Sequence, residues 1–204
     1  MERRRRRTRE VLVDAAREVF AAQGVEITTI QEITEAADVA KGSFYNHFDS
    51  KADVLRAVVE TTLRELGRAL DRLTEPLRAD PARVISVSLR HTLRAGVEDP
   101  TLGWFLLRAA DADAVGEAAL GAFARRDLRR GVQSGRFRAA GADLVGTLIG
   151  AGMLAVLRRR LRGELTSAAD AELALHALRL LGVPEGQARA IAGEALPPLD
   201  GREP

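Results

Sequence analysis

A chain of 204 residues, 46% hydrophobic and 29% charged, can bury a core as one large or two small domains and is too apolar for a disordered segment. Cysteine is absent, which excludes disulfides, thiolate metal sites and a cysteine nucleophile. The net charge of +2 says little by itself, but residues 1–9 hold six arginines against Glu2, while residues 10–40 carry Arg17 alone against seven acids.

The opening MERRRRRTRE has no apolar stretch behind it, so no secretory signal is expected and a cytoplasmic location is. Thr8 is the expected cap of a first helix with the stripe Val11, Leu12, Ala15, Ala16, Val19 and Phe20, stopped at Gly24. The arginines before it read either as a solubilising tail or as a basic arm. Thr29 with Glu32 three positions on has the form of a capping box, opening a short helix that buries Ile30, Ile33, Ala36 and Ala37. Asp38 tolerates the left-handed turn that follows. Residues 41–48, KGSFYNHF, then place Phe44 and Phe48 four apart on a core face and leave Lys41, Ser43, Tyr45 and His47 on the others. A short helix with one core face and one cationic and aromatic face suits a major-groove reader, so residues 28–51 predict a helix-turn-helix. Ser50 with Asp53 caps the next helix, and Lys51 at its start is an expected seat for a phosphate.

That next helix carries Leu55, Val58, Val59, Leu66, Leu70 and Leu73 and ends before Pro76. Beyond the break TEPLRADP, Pro81 opens a helix with Ile85, Leu89, Leu93 and Val97, closed at Asp99-Pro100, and another follows with Leu102, Phe105, Leu106 and Ala109. Residues 113–133 predict a helix with Leu120, Phe123, Ala124 and Leu128 inward and a dense arginine face outward. Residues 143–161 are apolar nearly all round, which predicts burial on every side; residues 167–181 form a last candidate helix ended by Gly182 and Pro184. The longest apolar run, 144–157, is too short for a bilayer and closes on Arg158, Arg159 and Arg160, so no membrane partner is expected. Strand signals are missing, and the fold class read from the chain is all-α.

Only Lys41 and Lys51, of 31 basic residues, are lysine, and both fall inside the reading motif. A lysine is a compact point charge where arginine is a planar fork, so the two places read either as ones that require that geometry or, with only two events, as chance.

The string Thr-Thr-Ile, then Ala-Ala-x-Val-x-Lys-Gly-Ser-Phe-Tyr-x-His-Phe-x-Ser-Lys, resembles the DNA-binding segment of the tetracycline-repressor (TetR) family of bacterial transcriptional regulators. The likeness covers the first quarter of the chain closely and the rest as a helical outline. It implies an N-terminal three-helix DNA-binding domain at 1–51 and a C-terminal helical ligand-binding and dimerisation domain at 52–204. By position in the motif, Lys41, Gly42 and Ser43 would lie nearest base edges, and Thr29, Tyr45, His47 and Lys51 would hold phosphates, with Arg5, Arg6, Arg7 and Asn46 added to the DNA-binding set. The chain departs from the family pattern at Asp38, where glycine is usual, and at Ala40, where a capping hydroxyl is usual, which puts that corner of the contact in question.

The family also places its dimer on two late helices, which tips Leu144, Leu148, Gly150, Met153, Leu157, Leu173, Ala177 and Leu180 from monomer core to homodimer interface. An effector, if there is one, is expected among the middle helices, at His91, Arg94, Trp104, Phe105, Arg108 and Phe123. Enzymatic readings are weak: His47, His91 and His176 have no metal-ligand spacing, there is no phosphate-cradling loop or nucleophile elbow, and neither cofactor nor metal is expected. The expectation is therefore a ligand-responsive repressor that binds a palindromic operator as a homodimer. The alternative is a ligand-independent architectural or cell-division factor on the same fold.

Overall fold

The computed structural model describes residues 2–111, 120–138 and 141–199. The described residues form helices and no strand: α1 Glu2–Gln23, α2 Ile30–Ala36, α3 Lys41–Tyr45, α4 Lys51–Leu73, a 3-10 turn Glu75–Leu77, α5 Pro81–Glu98, α6 Pro100–Asp111, α7 Leu120–Gln133, α8 Ala142–Leu161, α9 Ala168–Leu180 and α10 Glu185–Gly193. Residues 113–119 of the helix expected over 113–133 lie outside the described residues. The chain divides into two compact units, Met1–Thr62 and Leu63–Pro204. The boundary expected after residue 51 thus falls inside α4. Val54, Ala57, Val58 and Val59 are all buried, so the first turns of α4 complete the core of the first unit.

In the first unit α1 packs on α2 and α2 on α3. Helix α1 begins at Glu2 rather than at Thr8, whose hydroxyl donates to the Arg4 carbonyl (3.0 Å) within the helix and caps nothing. Arginine is a good helix former, and the Arg6–Glu10 pair adds support at i, i+4, so the basic segment is a helical extension and not a loose arm. The buried stripe is Leu12, Val13, Ala15, Ala16 and Phe20, with Val13 taking the place expected of Val11, which is exposed. Gly24, at φ +87°, ends the helix as its sequence position suggested.

In the second unit α5 is the centre, packing against α6, α7, α8, α9 and α10. Asp80 caps it by accepting from the Ala82 amide (3.1 Å), Pro81 fills its first position, and its buried residues, from Ala82 and Ile85 to Thr92 and Leu93, face several directions. The helix buried on nearly every side is therefore α5. Helix α8, expected to be so, shows Leu144 and Leu148 to solvent in the single chain, at 65% and 52% exposure. The core beneath joins Ala82, Ile85, Leu128, Phe137, Ile149, Leu178, Leu181 and Ile191.

Candidate nucleic-acid interface and effector site

The capping box at α2 is complete. The Glu32 amide donates to Thr29 Oγ1 (3.2 Å), and the Glu32 carboxylate accepts from the Thr29 amide (2.7 Å) and hydroxyl (2.8 Å). These bonds, the backbone one foremost, hold the Glu32 carboxyl below the ordinary range. After α2, Asp38 takes φ +51°, the left-handed turn for which the family pattern has glycine, and the Val39 amide donates to the Thr34 carbonyl (3.0 Å). Ala40 precedes α3 with no side-chain cap, as its missing hydroxyl requires; only the Ser43 amide returns to its carbonyl (2.7 Å).

Phe44 is fully buried and Phe48 nearly so, their ring centroids 5.6 Å apart, with Tyr45 edge-on to Phe44 at 5.5 Å. This anchor turns Lys41, Gly42, Tyr45 and Asn46 outward and leaves Ser43 and His47 half-buried. A Cβ added at Gly42 would meet no atom of the protein, so the space over the helix start is open to an approaching groove. From α1, Arg5 donates to the Asn46 carbonyl (3.3 Å) and the Arg9 guanidinium lies 5.0 Å over the Phe48 ring. Burial, then the charges of Arg5 and Arg9, lower the pKa of His47. Arg6 is paired with Glu10, and Arg7 is exposed.

Lys51 is arranged otherwise than expected. Its Nζ donates to the carbonyls of Val25 (2.8 Å), Glu26 (3.0 Å) and Thr28 (2.8 Å), so all three donors of the ammonium are spent inside the protein and none is offered to a phosphate. Ser50 and Asp53 cap α4 as read: the hydroxyl donates to the carboxylate (2.7 Å) and accepts from the Asp53 amide (3.2 Å).

The residues expected to hold an effector fall into separate groups. His91 is buried with Nε2 2.9 Å from the Pro197 carbonyl, and burial lowers its pKa. Arg94 pairs with Glu98 at the surface. Trp104 stacks edge-on with buried Phe105 and lies under the Arg108 guanidinium, 5.6 Å away. Phe123 sits 5.4 Å from the Arg126 guanidinium. A cleft in the second unit, with Asp71, Thr74, Arg78, Val84, Arg126 and Asp127 among its lining, has about 10 Å³ of free space, about enough for one water.

Across this cleft Arg126 donates to Asp71 (2.7 Å) and to both oxygens of Asp127 (2.9 and 3.1 Å). Burial opposes ionisation of Asp71, but the bonds and charges of Arg126 and Arg78 outweigh it and hold the carboxyl below the usual range. The arginine face of α7 is therefore not wholly outward: Arg126 turns in, and the Asp127 side chain is only 11% exposed. The signal was in the sequence, since Asp127 stands seven after Leu120 and four after Phe123, an acid on the apolar stripe. A second buried pair joins Arg160 to Asp170 (3.2 Å), whose carboxyl burial pushes up against the charges of Arg160, Arg90 and Arg94.

Of the residues expected at a dimer interface, Leu144, Leu148 and Leu180 are exposed, Met153 and Leu173 are half-buried, and Gly150 faces open space. Leu157 and Ala177 are corrections, because both are sealed inside the second unit and have no surface to share.

A buried aromatic pair carrying an exposed, cation-bearing short helix behind a capped partner helix defines a helix-turn-helix DNA-binding protein joined to a separate helical domain. Residues 12–58 match "Bacterial regulatory proteins, tetR family", and residues 80–194 match "Tetracyclin repressor-like, C-terminal domain". The chain belongs to the TetR family of bacterial transcriptional regulators. It is similar to RolR, whose structure with the ligand resorcinol is 36% identical, superposes with a TM-score of 0.84, and matches over 98% of this chain and 100% of that one. SmeT, the repressor of the Stenotrophomonas maltophilia multidrug efflux pump SmeDEF, is 27% identical with a TM-score of 0.64, over 84% of this chain and 88% of that one. The transcriptional repressor DhaR of Mycobacterium sp. (strain GP1) is 37% identical over 75 residues, 37% of this chain. The chain spans 38% of DhaR and 43% of the regulator AcrR of Shigella flexneri, so these likenesses concern only part of each protein.

Proposed function

We propose that the protein is a repressor that binds a palindromic DNA operator as a homodimer and is released by a small polar aromatic effector. The observation that carries the DNA-binding part is the outward tip of α3, with Lys41, Gly42, Tyr45 and Asn46 held on the buried Phe44–Phe48 anchor. A helix this short reads only a few base pairs, so specificity requires a second copy on the other half-site. The exposed leucines Leu144, Leu148 and Leu180 supply an apolar face for that copy. The helical arginine extension adds phosphate neutralisation, which makes binding salt-sensitive. The compartment is the one that holds the DNA, and among the described residues no helix is long and apolar enough to cross a membrane.

The effector reading rests on the Asp71–Arg126–Asp127 cluster together with the likeness to RolR, a resorcinol-binding protein. Two carboxylates and a guanidinium offer acceptors and donors for a pair of phenolic hydroxyls, and Phe123 supplies an aromatic neighbour. For an aromatic ring to enter, these charged side chains must part. The near-filled cleft favours a second reading, a ligand-independent factor on the same fold. The test is selection of a duplex in vitro, then operator binding by anisotropy across a salt series with and without resorcinol and related diols. Binding to the selected palindrome no tighter than to random duplex would sink the DNA reading; specific binding that no diol alters, with no thermal shift, would favour the ligand-independent factor.

A further inference from the structure

The two lysines among 31 basic residues are not equivalent, and Lys51 has a geometry that a phosphate contact does not explain. We propose that Lys51 is a positioning residue, whose ammonium clasps the loop between α1 and α2 and thereby fixes α2 against the start of α4 for DNA recognition. This rests on the DNA-binding reading above and departs from the phosphate role that the motif implies.

The loop starts at Gly24, where φ +87° reverses the chain, and ends at Thr29, the cap of α2. Between them Val25, Glu26 and Thr28 turn their carbonyls onto one Nζ at 2.8, 3.0 and 2.8 Å. Three acceptors converge on one atom, which suits a tetrahedral ammonium with three donors; the donors of a guanidinium lie in one plane on separate nitrogens and cannot reproduce it. In a chain whose other cations outside Lys41 are all arginine, this is a physical reason for a lysine here. The loop is pinned from its other side as well: buried Thr28 donates its hydroxyl to the Gly24 carbonyl (2.6 Å) and accepts from Gln23 Nε2 (3.4 Å).

Lys51 thus ties three peptide groups of the loop to the first residue of α4, whose cap Ser50 follows the α3 anchor by two residues. The loop leads directly into α2, which packs on α3, so the clasp sets the frame in which α3 is presented. Because each donor is already engaged, Lys51 releases no counterion from DNA.

The experiment compares wild type with Lys51→Arg and Lys51→Met in the full-length protein, at a temperature where circular dichroism shows each one folded. Both variants should bind the selected operator about tenfold or more weakly, with a salt slope that is unchanged. Hydrogen exchange on the free proteins should show amides 25–32 opening faster in both variants. Three results would overturn the proposal: Lys51→Arg binding like wild type, a Lys51→Met slope shallower by about 0.9, or lower thermal stability with unaltered operator affinity. A wild-type protein without sequence preference would instead sink the DNA reading. The clasp itself would then stand or fall on the exchange of amides 25–32, which needs no DNA.

Discussion

Replacing Arg126 with methionine tests the charge cluster that the effector reading depends on. Methionine keeps an unbranched stem and loses the guanidinium that donates to Asp71 at 2.7 Å and to Asp127 at 2.9 and 3.1 Å. The two acids do not suffer equally. Asp71 retains Arg78 at 3.0 Å on the more open side of the cleft, whereas Asp127, 11% exposed, is left with Arg130 at 3.5 Å. Breaking a fully buried pair costs about 3–5 kcal/mol. Here the surviving partner and the solvent-facing cleft reduce this to about 1–3 kcal/mol, the range for a buried polar group deprived of its hydrogen-bonding partner. Urea unfolding should show that loss with an unchanged denaturant slope, and the double variant Arg126→Met/Asp127→Asn should recover part of it, because it removes the stranded charge. Operator affinity without effector should persist, since the first unit is untouched, while release by resorcinol should disappear. A variant as stable as wild type would show that the pair is screened like a surface ion pair, and unchanged release by resorcinol would place the effector elsewhere.

Leu148→Glu puts a charge on the exposed apolar face of α8, away from the core of its own chain, and should shift sedimentation at micromolar concentration from dimer to folded monomer; a dimer of unaltered stability would move the interface off that face. Gly131→Ala should lower stability by about 1–3 kcal/mol in urea, because the new Cβ overlaps the ring of Phe137, which is buried among Ile85, Leu128 and Leu181 and has nowhere to swing. The helix-propensity gain of up to about 1 kcal/mol near a helix end does not offset this, and a more stable variant would show that the core yields. Asp71 and Asp80 both have folded pKa values below the usual carboxylate value, in each case because arginine contacts outweigh burial: Arg126 and Arg78 for the first, Arg136 for the second. A depressed carboxyl stabilises the fold fully above its unfolded pKa of about 3.9 and ceases to as pH falls through the lower folded value. Acid unfolding of wild type should therefore set in below about pH 4, and the Arg126→Met variant should lose less of its remaining stability over that window; equal losses would show that Asp71 titrates normally in the folded protein.

The sequence alone determined what depends on neighbours along the chain. The Thr29–Glu32 box, the left-handed Asp38, the uncapped Ala40, the Ser50–Asp53 cap and the proline start of α5 are local hydrogen bonds and backbone preferences, and each stands where its residues put it. Phe44 and Phe48 were legible as core for the same reason, since spacing four apart on a helix fixes a shared face. Tertiary structure decided where distant groups meet. Lys51 looked like a phosphate seat because its position at a helix start is visible in the sequence, whereas carbonyls more than twenty residues upstream are not. Arg126 belongs to the arginine face expected to point outward, and it turns inward because its partner Asp71 on α4 is 55 residues away, beyond the reach of periodicity. Leu157 and Ala177 could not be told from Leu148 and Leu180 by periodicity, because a helix apolar on all sides carries no mark of which side faces its own chain. That choice is made by packing around α5, where the helices that share its surface divide the apolar residues between a core and an exposed face.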